Sequence, residues 1–300
     1  MASTPATPVP VVLGVEARAS RGLWGDALVR LRRNKPAIAG VVCIVIFVFV
    51  ALAAPVLAPF DPNKTALGPS FGPPSQAHPA GLDKLGRDEL SRVIFGARIS
   101  LLVGIVSVTI GLTIGGIAGA LAGGVGGRVD TVIMRMVDVM LAIPGILLAI
   151  GIVAWLGQGL PQIMLAVAVT NAPIFARILR GSLLAMRDAE FVTVARSMGA
   201  DRRRLLMRHM LPNALTALIV AATLALATAI IDVAGLGFLG MGPPDPRTAE
   251  WGTMLTDSTE ALRRAPWLIF APGIAIVISA IGFNLLGDGL RESLDPRMKR

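Results

Sequence analysis

Apolar residues run almost unbroken over about residues 37–57, 99–123, 131–156, 160–179, 214–231 and 267–286, and polar residues gather between these runs. A helix needs roughly 20 residues to cross the hydrocarbon core of a bilayer, so each run predicts a membrane span. Pro55 and Pro59 help to end the first. The second carries Gly111, Gly115, Gly119 and Gly123, a ladder at four-residue spacing that lets another helix approach closely. Pro144, Pro173 and Pro272 lie inside the third, fourth and sixth runs. There a proline marks either a hinge or a static kink satisfied by neighbouring helices. The fold class this predicts is an all-α membrane protein with six transmembrane helices.

The remaining segments sort by composition. Residues 1–21 are rich in Pro, Ala, Thr and Val and predict a disordered tail. Over 22–36, Leu23, Trp24, Ala27, Leu28 and Leu31 share one helical face, while Arg30, Arg32, Arg33 and Lys35 stay wet. That pattern predicts an amphipathic helix lying in the headgroup plane. A first span over 37–58 and a loop over 59–98 follow. Residues 99–289 make a five-helix core, interrupted by polar segments at 186–213 and 233–266, and 290–300 form a tail. Ala51-Leu52-Ala53 resembles a signal-peptide cleavage site, but the long segment before it argues for a retained span.

The block from Glu190 to Asn213 is polar and arginine-rich, yet patterned. Phe191, Val194, Ala195 and Met198 recur at helical spacing. Gly199 falls where a helix ends on a left-handed residue. Asp201 can cap a second short helix, with Met207, Met210 and Leu211 on one face. Pro212 stands where the next span would take its first residue, a position that tolerates a missing N–H. Two short helices with exposed apolar stripes need a partner to cover them.

Composition agrees with the patterning. A mean hydropathy of +0.71 and 54% hydrophobic residues exclude a soluble domain of this length. The net charge of +9 invites a nucleic-acid reading. The basic residues, however, gather in the segments on one side of the predicted spans, as the positive-inside rule requires, and no tyrosine or other aromatic interleaves the arginines to stack bases. The side bearing Arg187–His209 is thus cytoplasmic. Both termini and the turn at 124–130 fall there too, with 60–96 and 233–266 outside. Cys43 is the single cysteine, which rules out an internal disulfide and a thiolate metal cluster.

Several chemical motifs lack their context. Gly235-Leu-Gly-Phe-Leu-Gly240 fits a dinucleotide fingerprint but has no strand before it. Gly68-Pro-Ser70-Phe-Gly72 fits a nucleophile elbow, but its proline-rich surround denies the strand–turn–helix it needs, and His209 lies across the membrane from it. No lysine follows a glycine, so the chain has no phosphate-binding loop of the Walker type, and no HExxH pair occurs. No catalytic, cofactor or metal residue is therefore predicted. Asp130, Arg135 and Asp138 sit near the cytoplasmic mouth of the third span. Asp138, Asp232 and Asp288 lie close enough to span ends for water or a helix terminus to satisfy them.

The Glu190–Asn213 block resembles the cytoplasmic "EAA" loop of bacterial ABC-importer permeases. Thr193, Val194, Ala195, Gly199, His209, Leu211 and Pro212 occupy its pattern, although the glutamate, first alanine and isoleucine of that pattern are absent. The stretch from Ala195 to Asn213 is most similar to the dipeptide/oligopeptide/nickel branch. So are Leu85–Leu101, Met134–Pro144, Gly237–Leu255 and Asn284–Arg297, in the same order, so the resemblance covers roughly Leu23 to Arg297. It points to the shorter "C" subunit and to the type I importer fold.

That resemblance implies a permease for di- or oligopeptides in a bacterial inner membrane. It implies a second permease, two ATPases or one fused ATPase that bind the ATP and magnesium, an external solute-binding protein, and lipid. The residues it marks for ATPase coupling are Glu190, Ala195, Gly199, Ala200, Asp201, Arg204, Arg208, His209, Leu211 and Pro212. Pro144, Pro173, Pro272, Asp138 and Asp232 are hinge or pathway positions. A nickel-chelate, glutathione or other small solute is the alternative cargo. An ion-driven secondary transporter is the alternative class, though the inverted repeat common there is not visible.

Overall fold

The computed structural model describes Gly25 and residues 29–294. The predicted tail at 1–21, residues 22–24 and 26–28 of the predicted amphipathic helix and the last residues, 295–300, lie outside the described residues; helix at 29–31 gives way to a turn, and Lys35 and Pro36, expected at the end of that helix, open the first span instead. Within them, α1 spans Lys35–Leu57, α2 Glu89–Val125, α3 Gly127–Leu141, α4 Gly145–Leu156, α5 Leu160–Ala185 and α6 Glu190–Ser197. A short α7 at Arg202–Arg204 runs through a π-helical turn, Leu205–Met210, into α8 at Leu211–Leu236. A second π-helical turn covers Gly237–Met241, then come α9 at Trp251–Thr259 and α10 at Trp267–Leu294. No strand occurs among the described residues; the nearest approach is one isolated bridge, Leu82 to Asp88.

Five helices are long and apolar enough to cross a membrane, and the pair α3/α4 makes a sixth if taken as one span. The third span is bent at Pro144, one of the positions where the sequence marks a hinge or a kink. Ala142-Ile143-Pro144 breaks it, and the two halves meet at 91°. Pro144 lacks the N–H that a continuing ladder needs, and it disfavours helical geometry at Ile143. Pro173 and Pro272, by contrast, are buried inside unbroken helices. The second span also starts earlier than its apolar run. Asp88 caps α2 by accepting the Ser91 amide, so the helix takes in Glu89–Arg98 before the hydrophobic stretch begins. At the other end of the chain, α10 continues to Leu294, where a tail from 290 was expected.

The glycine ladder packs as its spacing requires. A Cβ at Gly115 would lie 2.2 Å from the Ala172 carbonyl oxygen, one at Gly119 2.5 Å from that of Ala176, and one at Gly111 2.7 Å from that of Ala168. Ala168, Ala172 and Ala176 are the matching small residues on α5, so backbones meet almost directly. Around this pair the core closes with Phe175, Leu179, Leu183, Val103 and Leu218. Small residues also seat α1 on α10: a Cβ at Gly40 would fall 2.6 Å from the Leu286 amide nitrogen. The outer face of α1, with Val45, Phe49, Leu52 and Val56, stays uncovered, as a lipid-facing surface should.

Residues 60–88 and 243–266 interlock at the N-terminal end of α2. Arg87 donates to Asp83 at 2.5 Å and to the Pro246 carbonyl at 2.7 Å. Arg92 donates to the Pro62 carbonyl, and Lys84 pairs with Asp257 at 2.7 Å. That hydrogen bond to Asp257 holds the Lys84 ammonium above its ordinary pKa. His78 pairs with the buried Asp88 at 2.9 Å. Glu250 accepts from the Gly252 and Thr253 amides and so caps α9. Burial pushes its carboxyl above the usual range, while those two amides pull it back. Trp251, 1% exposed, donates through its indole to the Val93 carbonyl and fills the space left by Gly96.

Candidate functional site

The polar hairpin lies at the opposite end of α2, whose 37 residues span about 55 Å at helical rise. Glu190 opens α6, exposed in its first turn, where a negative charge suits the helix dipole. Gly199 ends it with φ +84°, the left-handed conformation expected there. A Cβ at Gly199 would meet nothing within 4 Å, so conformation alone requires glycine. Asp201 then caps the next helix by accepting the Arg204 amide at 3.3 Å.

The second helix differs from its prediction. It does not stop before Pro212; helix runs from Arg202 to Leu239. The register change is a π turn over Leu205–Met210, in which the Leu211 amide donates to the carbonyl of Leu206, five residues back. Proline at 212 has no N–H for the carbonyl four residues earlier, and a widened turn absorbs the mismatch without ending the helix. Asn213 adds a side-chain donation to the His209 carbonyl at 2.6 Å. His209 and Leu211 are half-buried in this turn, while Pro212 and Arg208 are exposed.

The hairpin therefore has two faces. Val192, Ala195, Ala200, Leu205 and Met210 point inward and join the main core. Ala195 is partly buried against that core. Outward, Phe191 and Val194 are 43% and 57% exposed, Met198 82% and Met207 57%. Arg203, Arg204 and Arg208 ring this apolar stripe, all exposed.

Two arginines tie the hairpin to α2. Arg187 donates to the Gly123 carbonyl at 2.8 Å, and Arg202 to those of Gly124, at 3.0 Å, and Val125. These are orphan carbonyls at a helix C-terminus, where cations are favoured. Neither this role nor the partners of the span-end carboxylates is apparent from the sequence alone. Asp138 accepts from Arg177 at 2.6 Å and Asp130 from both arms of Arg180, which staples α3 to α5. Arg177 and Arg180, three residues apart on one helix face, are the signal that could have shown it. Asp232 is half-buried near the far end of α8, remote in sequence from the hairpin. Gly235–Gly240 closes that helix in a π turn held to α9, with Gly240 at φ +79°, and makes no strand-to-helix phosphate loop.

The family described as "Binding-protein-dependent transport system inner membrane component" matches residues 111–300. The "N-terminal TM domain of oligopeptide transport permease C" matches residues 22–74. The dipeptide transport system permease protein DppC of Alkalihalophilus pseudofirmus is 43% identical over 92% of this chain and 90% of its own length. The glutathione transport system permease protein GsiD of Shigella flexneri is 44% identical over 92% of this chain and 91% of its own. An inward-facing structure of the MetNI methionine ABC transporter shares the fold, with a TM-score of 0.57 at 22% identity. It covers 68% of this chain and 96% of its own.

Proposed function

The chain belongs to the binding-protein-dependent inner-membrane permeases of ABC importers, in the dipeptide/oligopeptide C branch, and from that premise we infer that it carries peptides by coupling the exposed hairpin face to an ATPase. The observation that carries this reading is the outward stripe of Phe191, Val194, Met198 and Met207 on an otherwise packed hairpin. In this account the hairpin, both termini and the exposed arginines are cytoplasmic. Residues 60–96 and 233–266, the last turn of α8 included, face outward and receive a solute-binding protein. A second permease completes the pathway, and partner ATPases bind ATP and magnesium while this chain catalyses nothing itself.

The geometry supports a lever. Helix continues from Arg202 to Leu239, ahead of the non-helical Gly240, so a pull on the hairpin passes directly into α8. Arg187 and Arg202 pass the same motion into α2, and α2 is locked to α5 through the glycine ladder. Gly199 sets the angle between α6 and this lever. The bend at Ala142-Ile143-Pro144 is the place where α3 and α4 can move relative to one another. A glutathione-like cargo is the second reading, favoured by the similarity to the glutathione permease.

Gentle extraction of the tagged chain from native membranes tests the proposal. Recovery of a second permease with one or two ATPases is expected. Recovery of this chain alone, with uptake driven by an ion gradient after reconstitution, would overturn it in favour of a secondary transporter.

A further inference from the structure

We propose that the cavity between the end of α2 and the hairpin binds the phosphate of an acidic phospholipid, held by Arg187, Arg196 and Arg202. The cavity has a volume of about 460 Å³, and all three arginines line it. Among the described residues none of the three forms an ion pair; the pairs of this chain involve other cations. Arg187 and Arg202 meet at the end of α2: the Nη2 atoms that they donate to its carbonyls both lie within 4 Å of the place a Cβ would take on Gly126. Each uses one nitrogen on the carbonyls of α2 and keeps further N–H groups for a ligand. Among the described residues, Asp201 spends its carboxylate on the Arg204 amide, Asp188 and Glu190 stand exposed, and Asp130, which feels the Arg187 charge, is paired with Arg180, so none of these forms an ion pair with the three arginines.

The source follows from the rest of the wall. Val192, Leu205 and Met210 are buried beneath the arginines and give the cavity an apolar floor. The last turns of α2, which supply Gly123 and Gly124 to the cavity wall, and the first turn of α3 expose Leu121, Val125 and Val129, a surface suited to acyl chain. A phosphate with hydrocarbon attached fits both, whereas a free ion uses only the arginines. Basic pockets at the polar end of membrane helices suit acidic headgroups for this reason. The membrane placement given above decides only which leaflet supplies the lipid.

The test uses the assembled, delipidated complex, titrated with phosphatidylglycerol or phosphatidylcholine and read by native mass spectrometry. Phosphatidylglycerol should be retained about tenfold more tightly, and Arg196→Gln, which leaves the α2 caps intact, should weaken it about fivefold. Arg187→Gln/Arg202→Gln should weaken it further. Equal retention of the two lipids would overturn the proposal, as would unchanged binding in Arg196→Gln. Displacement of the lipid by millimolar inorganic phosphate would also overturn it, in favour of a free-anion site. Absence of any ATPase from the preparation would contradict the coupling role without bearing on lipid retention.

Discussion

The two ends of α2 are built on opposite principles. At its N-terminal end, Asp83, Arg87, Asp88, Glu89, Arg92 and Glu250 are all buried, and charges from both loops meet charges or carbonyls of the other. At its C-terminal end, the hairpin leaves Met198 and Met207 bare and three arginines around an open cavity. One end is largely paired within this chain, although among the described residues Arg87 Nη2 and Glu89 Oε1 stay buried there without a hydrogen-bond partner. The other presents surfaces that only a partner can satisfy. A protein that receives a separate carrier on one side and is driven by a motor on the other needs this asymmetry: a firm platform at one end, an unfinished grip at the other.

Breaking the satisfied end should cost most. Arg87→Ala leaves the buried Asp83 only its longer ion pair to Arg92, at 3.8 Å, and removing one partner of a buried pair typically costs about 3–5 kcal/mol. The expected outcome is loss of folded protein, read as reduced recovery after extraction and a lower melting temperature. Gly115→Ala comes next. Its Cβ would meet the Ala172 carbonyl, and overpacking of this kind costs about 1–3 kcal/mol. A thermal shift of the purified chain checks it, and Gly151→Ala, which meets no neighbour, is the control.

Changes at the unfinished end should move function more than stability. Gly199→Val forces a β-branched residue to φ +84°, at a local cost of about 1–3 kcal/mol. Uptake should fall with ATP hydrolysis and membrane insertion retained, and Gly199→Asn, which tolerates that conformation better, should recover part of the uptake. Met198→Ser with Met207→Ser should alter the melting temperature of the isolated chain least, within about 0.5 kcal/mol, while weakening ATPase retention in pull-down. If the isolated chain were destabilised as much as by Arg87→Ala, the contrast between the ends would fail.

A pH series sharpens the same comparison. The Glu250 carboxyl sits above its ordinary pKa in the folded chain, so its contribution is full below about pH 4.3 and fades as pH rises through the folded value. Glu250→Gln should flatten that decline in melting temperature and leave ATPase retention unchanged.

Local signals carried much of this into the sequence. The apolar runs marked the spans, the four-residue glycine spacing marked the α2–α5 contact, and Gly199 and Asp201 marked the turn and cap of the hairpin. Those features are decided within a few residues of chain. The network at the other end was not legible because its members are distant: Arg87 meets Pro246, and Trp251 meets Val93. The partners Arg177 and Arg180 of the α3 carboxylates stayed hidden for the same reason. Pro212 misled in a different way. It reads as a helix start, yet the π turn over Leu205–Met210 lets helix continue through it, and no residue pattern announces that a missing N–H is absorbed by register rather than by a break.

The most direct test places one cysteine at Met198 in a Cys43→Ser background and cross-links the intact complex in native membranes. The expected result is an adduct with an ATPase subunit, while a cysteine at Arg247, at the opposite end of the molecule, gives none. A cysteine at 198 that reacts only with reagents added from outside the cell, or that yields no ATPase adduct in an otherwise active transporter, would contradict the account.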